Sequence, residues 1–439
     1  MFGIRRDMTL AKERRSDVNI DQGDRGVRLL HLAPIMPARS GNGLAMRCGM
    51  FTEALARLGA TEVIVVGGQD TVLDEGEIEG VSARVVSTAG RLDTRLRLIS
   101  QIENGYERAE ALRALGRPSS TAVLSAPVIK DVAEWVAQKQ WSGIVVSRSY
   151  LTPLLNVLRP IADRVPLLVD LDDDDALMLR ERAAIARSSN NSQKAAVLEA
   201  EADCYEKVIQ SCSGHVVTFC SSSEATSFQL KRRLQLSNVV SIPNGIEVPE
   251  KARVSAERHT LLFVGNLAYQ PNVDGISWFV SHVWQRVRER FPDVELVVAG
   301  SNPSSRLAEL CHANEVTLES DPVSISPHYT RARAVVIPLR TGAGTRIKLL
   351  EAGAHNVPVI STSKGAEGLD VLPDKHFYCC DYDPEEMLSA CTECLSSPVE
   401  AMQKAEELHA MVCRNYGRSD VIGTITELVQ SIIKPTLKQ

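Results

Sequence analysis

No apolar run in the 439-residue chain approaches the ~18–20 residues that a membrane-spanning helix needs. The start carries Arg and Lys but lacks the apolar centre of a secretory signal, so residues 1–25 read as a polar, flexible tail. Excess positive charge is absent too. Lys plus Arg number 49 against 55 Asp plus Glu, a formal net charge of −6, so no global basic field recruits nucleic acid. Cysteines are few, ten in all and scattered without a disulfide framework, which predicts free thiols in a cytoplasmic protein. Cys391 and Cys394 form a CxxC, but no second such pair accompanies them. They lie in the helical pattern PEEMLSACTECLSSP, where two semi-buried helix cysteines are the simpler expectation. There is no short-period repeat. Apolar residues at 44% and charged residues at 24% are ordinary for a well-cored globular protein and exclude a disordered or collagen-like chain. The length predicts two domains or three.

From Val27 onward, short apolar strands alternate with longer helical stretches, the pattern of a parallel sheet covered on both faces. VRLLHLAP, EVIVVGG, SARVVST, GIVVS, PLLVDL, GHVVTFC and VVSIPN are the strands of the first half. At PNGIEVPEKARVSAERH, Pro, Gly and charge replace the apolar period, which marks a domain boundary. The alternation then restarts with TLLFVGN, ELVVAGS, VTLES, AVVIPL, PVIST and FYCCD. Between the first two of these, Ile276, Phe279, Val280, Val283, Trp284, Val287 and Phe291 share one face of a single helix. The expected architecture is α/β, two Rossmann-like doubly wound parallel-sheet domains facing a cleft. Residues 26–245 form the first domain, 246–259 the linker, 260–415 the second domain, and 416–439 a helix that returns to the first.

Open parallel sheets bind ligands on the loops beyond the carboxyl ends of their strands. Two such loops are rich in glycine. The first, PARSGNG, places Gly41 and Gly43 before a helix, where backbone N–H groups and the dipole favour an anion. Met46 stands where a dinucleotide fingerprint would want its third glycine, so a turn that needs glycine for its shape is an equal reading. The second loop, PLRTGAGTRIKLLEA, leads from a strand through Gly342 and Gly344 into a helix expected to carry Thr345, Arg346 and Lys348 in its first turn. Cations there oppose the helix dipole unless an anion binds. Glu351 follows Lys348 at i, i+3 on the same face, suited to ribose hydroxyls beside a diphosphate. An ordinary Lys–Glu surface pair is the alternative.

LLFVGNLAYQPNVDGISWF, ELVVAGSNP, AVVIPLRTGAGTRIKLLEAGA and VPVISTSKGAEGLD together resemble the C-terminal domain of retaining sugar-nucleotide glycosyltransferases of family four, glycosyl transferases group 1, which have the GT-B fold. VVSIPNGIEV resembles the segment that precedes that domain, and LLHLAPIMPARSGNGLAMR is similar to the family's first loop. The resemblance implies transfer of a sugar from a UDP- or GDP-linked donor to an acceptor hydroxyl with retention, in polysaccharide or other glycan assembly. It implies that Gly41, Gly43, Gly344, Thr345, Arg346 and Lys348 meet the donor diphosphate and Glu351 the ribose, with no metal and no other cofactor. The family's usual donor-sugar acid falls on Ala343, and its Arg/Lys phosphate clamp on Asn266 and the Pro271–Asn272 region. Those departures keep two alternatives open: a transferase-like protein that binds a nucleotide sugar or a partner enzyme without turnover, and an epimerase or hydrolase on the same fold. No catalytic residue is assigned, because Ser147 and Arg148 stand where some relatives have a cleft histidine.

The acidic run Asp170, Asp172, Asp173, Asp174 and Asp175 after PLLV could hold a divalent cation or simply cap a helix, and the capping reading is preferred. His31, inside the first strand, reads as a satisfied core residue. The basic sets Arg91, Arg95, Arg97 and Lys231–Arg233 read as solvated helix faces, with peripheral contact at the inner membrane face left open. Acceptor candidates are a glycan, a lipid-linked sugar or a small molecule.

Overall fold

Short β-branched runs that end at Gly, Pro or Ser pack best when buried on both faces, and each of the stretches named above is a strand in the computed structural model, which describes residues 26–39, 43–67, 78, 80–162, 165–212, 217–249, 259–342 and 346–437. The tail 1–25, most of the linker, and Gly41, Ala343, Gly344 and Thr345 lie outside the described residues. In chain order the strands are β1 (Arg28–Ala33), β2 (Ala60–Gly67), β3 (Val81–Ser87), β4 (Gly143–Ser147), β5 (Leu167–Asp172), β6 (Val217–Ser221) and β7 (Val239–Ser241). There follow β8 (Thr260–Val264), β9 (Glu295–Gly300), β10 (Thr317–Ser320), β11 (Ala332–Ile337), β12 (Val359–Thr362) and β13 (Tyr378–Cys380).

They form two separate parallel sheets. The first has seven strands in the order β3-β2-β1-β4-β5-β6-β7, and the second six in the order β10-β9-β8-β11-β12-β13. In each, the direction of winding reverses once, between β1 and β4 and between β8 and β11. Those reversals open a crevice at the carboxyl ends of the strands.

Each sheet has its own core. Leu30, Leu32, Ile144, Val146, Leu167 and Val169 pack under the helices of the first domain. Phe263, Leu296, Val298, Ala334 and Val336 do the same in the second, against the apolar face of the helix after β8. That face is buried as its period implies, but the helix is not uniform: Gln270–Phe279 and Gln285–Arg290 are α-helical, and Val280–Trp284 is a single π-turn. Cys391 and Cys394 lie buried in the same core, on the helix Pro384–Ser396.

The chain crosses between the domains twice, side by side. Ile246 donates to the Tyr416 carbonyl at 2.8 Å and accepts from the Arg418 amide at 3.0 Å. The last helix, Arg418–Leu437, then lies on the first domain, where Val421, Ile422, Ile425, Val429 and Ile433 join Leu29, Met50, Phe51 and Leu55. Each such aliphatic side chain contributes roughly 1.5–3 kcal/mol when removed from water. Arg418 clasps Glu53 through two 2.8 Å bonds at the start of this helix.

Candidate functional site

The loop after β1 feeds the helix Gly43–Ala56, and the loop after β11 feeds the helix Ile347–Ala354. Both loops stand at winding reversals, and the two helix starts meet: a Cβ on Gly43 would lie 2.6 Å from Ile347 Cδ1. Neither helix has an acidic residue in its first turn, and Arg346, which caps the second, makes no side-chain capping bond. Two positive dipole ends thus converge from opposite domains. Met46 reaches across to the core of the second domain. The glycine that shapes the first loop is Gly49, which the sequence pattern did not single out. A Cβ there would sit 2.1 Å from the Ala38 carbonyl oxygen, so the returning loop tolerates no side chain at that position.

Of the residues expected to meet the diphosphate, Gly41, Gly344 and Thr345 fall outside the described residues. Arg346 is not in the first helical turn as anticipated; the helix opens at Ile347, and Arg346 is its capping residue. Its guanidinium is buried, with Nη2 donating to the Gly342 carbonyl at 2.8 Å and to Glu367 Oε2 at 3.1 Å, while Nε is buried with no partner. Glu367 is shared with Lys364 at 2.6 Å, and Lys364 reaches Glu181 of the first domain at 3.4 Å.

Lys348 Nζ donates to Asn272 Oδ1 at 2.9 Å and lies 5.7 Å from the centre of the Phe263 ring. Burial pushes its pKa down to about 8, helped by the like charge of Arg346 and opposed by Glu351. Asn272, itself buried, also donates to the Asn266 carbonyl at 2.8 Å. The positions where the resemblance expects a clamp are therefore part of the scaffold that aims Lys348. Glu351 accepts from the Tyr329 hydroxyl at 2.7 Å. Burial raises its pKa, while Tyr329 and Lys348 pull it back.

The first-domain floor of the crevice is ionic. Arg47, fully buried, holds Asp170 with Nη2 at 2.7 Å and Nε at 2.8 Å. It also reaches the Ile242 carbonyl at 3.1 Å and Asn244 Oδ1 at 3.0 Å. Arg148 bonds Asp175 at 2.6 Å and Asp172 at 3.3 Å. Arg148 and Asp172 both have left-handed backbones, φ 76° and 63°, at the ends of β4 and β5. Asp174 accepts from the Leu177 amide at 2.9 Å and so caps the helix Asp175–Ser188. Asp173 accepts from Ser222 at 3.1 Å, and burial beside Asp172 pushes its pKa up to about 7. Each carboxylate of the run therefore has a protein partner.

Other expectations fall elsewhere in the fold. His31 is enclosed between Thr52 Oγ1 and Ser147 Oγ, both at 2.8 Å, and burial lowers its pKa to about 3, so it stays neutral. Arg91 and Arg95 pair with Asp131 and Asp93, and Arg233 with Asp174 and Glu206, which leaves Lys231 and Arg232 exposed. No helix among the described residues is long and apolar enough to cross a membrane.

Residues 258–397 match the family model described as glycosyl transferases group 1. A protein of Klebsiella pneumoniae, described as an uncharacterized 44.6 kDa protein in the cps region, is 32% identical over 116 residues. That stretch is 25% of this chain and only 30% of the Klebsiella protein. Among solved structures, sucrose-phosphate synthase from Thermosynechococcus elongatus superposes with a TM-score of 0.64 at 14% identity, over 93% of this chain and 100% of that one. HepE of Anabaena, solved in complex with UDP, gives 0.61 at 14% identity over 92% and 100%. WaaG, a glycosyltransferase involved in lipopolysaccharide biosynthesis, gives 0.58 at 13% over 92% and 99%. At such identities the likeness establishes the fold alone, two parallel-sheet domains of the GT-B type, and the family model matches residues 258–397 in the second of them.

Proposed function

We propose that this GT-B chain, with its glycosyl transferases group 1 domain, moves a sugar from a UDP- or GDP-linked donor to an acceptor hydroxyl in polysaccharide or other glycan assembly. The observation that carries the reading is the meeting of two helix starts at Gly43 and Ile347, one from each domain, with Arg346, Lys348 and Glu351 beside them. In this reading the donor lies on the second domain. Its diphosphate faces the two helix starts and the ammonium of Lys348, and its ribose faces Glu351. The acceptor enters over the first domain.

Transfer breaks the bond from the sugar's anomeric carbon to the diphosphate oxygen and forms one to the acceptor oxygen, whose proton ends on the leaving diphosphate. Retention of configuration belongs to the proposal through the family resemblance. Leaving-group charge is met by fixed dipoles and cations, which are already in place and need little reorganisation. The carboxylates of the Asp170–Asp175 run are engaged by Arg47, Arg148, Arg233 and hydroxyls, so the proposed transfer draws on no divalent cation held there.

A binder without turnover is the second reading, favoured by one observation: the Glu367 carboxylate already occupies Arg346. One assay separates the readings. Purified protein is incubated with radiolabelled UDP- and GDP-sugars and a glycan acceptor, with and without chelator, and the products are analysed. Transfer in chelator supports the proposal, donor binding without product supports the binder, and free or epimerised sugar supports the hydrolase or epimerase. Glu351→Ala should weaken nucleoside diphosphate binding at least ~10-fold, because each charge-assisted bond is worth ~1.5–3 kcal/mol. Unchanged affinity in folded Glu351→Ala protein removes this residue from the site.

A further inference from the structure

We propose that Tyr329 is a positioning residue for the donor, its buried hydroxyl fixing one oxygen of the Glu351 carboxylate so that the other is presented to the ribose. The inference rests on the donor reading of Glu351 given above.

Tyr329 belongs to the short helix Ser326–Arg331 that leads into β11, and it is fully buried despite its polar tip. Its ring is stacked on His355, with centres 4.8 Å apart and planes 18° from parallel. His355 is in turn held by Ser326 Oγ at 3.0 Å and by the Glu351 carbonyl at 2.9 Å. The phenol therefore has little freedom. It donates to Glu351 Oε2 at 2.7 Å, and burial beside that carboxylate raises its pKa well above the ordinary range, so it remains a donor at every working pH. Lys348, the other group one turn away, is turned to Asn272 instead.

A glutamate side chain has three rotatable bonds, and holding it in one rotamer before the ligand arrives removes an ordering cost from binding. Oxygen Oε2 is occupied by the phenol, which leaves Oε1 as the acceptor for a ribose hydroxyl. Tyr329→Phe keeps the ring and its stack.

The test is calorimetric titration of UDP and GDP, and of their 2′,3′-dideoxy forms, into wild type, Tyr329→Phe, Glu351→Ala and the double variant. Tyr329→Phe should weaken the ribonucleotide about 5–20-fold, leave the dideoxy form unchanged, and add nothing in the Glu351→Ala background. A purely structural role would weaken both nucleotides alike, or add to the effect of Glu351→Ala; either result overturns the proposal. Glu351→Ala distinguishes the two levels of failure. If it leaves affinity unchanged, the donor reading falls. If it weakens binding while Tyr329→Phe does not, only the role of Tyr329 falls. In wild-type protein, a tyrosine 13Cζ resonance should move with the ribonucleotide and not with the dideoxy form. Its absence counts against the proposal even if Tyr329→Phe does not fold.

Discussion

Arg47→Met is the sharpest test of how the first domain is held together. The guanidinium is completely enclosed, and three of its contacts within 3.0 Å go to the carboxylate of Asp170, also completely enclosed. Methionine fills much of the same volume without charge, so the variant leaves Asp170 as a buried anion whose principal counter-ion is gone. Removing one partner of such a pair costs about 3–5 kcal/mol. Against a total stability of ~5–15 kcal/mol, that is a large fraction. For a domain of this size it corresponds to a fall in melting temperature of about 6–20 °C. Scanning calorimetry should show the transition of the first domain falling while that of the second stays, which gives an internal control. Asp170→Leu added to Arg47→Met removes the stranded charge and should recover most of the loss. About 1–2 kcal/mol should remain, because the Ile242 carbonyl and Asn244 Oδ1 have each lost a donor and Asp172 a neighbouring cation. A loss below about 1 kcal/mol in Arg47→Met would mean that water or another cation reaches Asp170, and the reasoning from burial would be wrong.

Lys348, with its pKa pushed down to about 8, sheds its proton as pH rises through that value, and with the proton goes the charge that the proposed diphosphate would meet. Affinity for UDP or GDP should therefore weaken between pH 7 and pH 9.5, and Lys348→Arg should flatten the profile; a wild-type profile that is flat across this range refutes the role. For the unliganded fold the sign is opposite, since the unfolded state binds the more protons between pH 8 and 10.5 and stability from this group rises over that window. Gly43→Ala would thrust a methyl group against the flexible end of Ile347, so it should cost less than ~1 kcal/mol in stability yet lower turnover if the two helix starts must meet. Ile347→Ala in the same chain should restore turnover, and steady-state rates of the single and double variants decide the point.

Local chemistry carried much of the fold. Strand positions were legible because a run such as Val63–Val66 or Val335–Ile337 is buried on both faces of a parallel sheet, and a continuous apolar run bounded by turn residues says so without reference to the rest of the chain. Asn356, just beyond the helix Ile347–Ala354, has the left-handed conformation, φ 53°, which asparagine accepts. The helix after β8 was legible in its buried face but not in its π-turn, because the face depends on period and the turn on how Val280–Trp284 settles against its neighbours.

Partner choice was not legible. The acidic run looked alike residue by residue, yet Asp170 answers Arg47 across 123 positions, Asp174 caps its own helix and Asp175 binds Arg148. Glu351 could have paired with Lys348 one turn away, the local choice, but the fold brings Tyr329 to it and Asn272 to Lys348. Gly43 and Ile347 carry no mutual signal in their separate sequence windows; two sheets and two crossings of the chain put them in contact. Periodicity reports which face of an element is buried, whereas a hydrogen bond or an ion pair depends on the angstrom-scale placement of groups far apart in sequence. That placement exists only once both domains have packed.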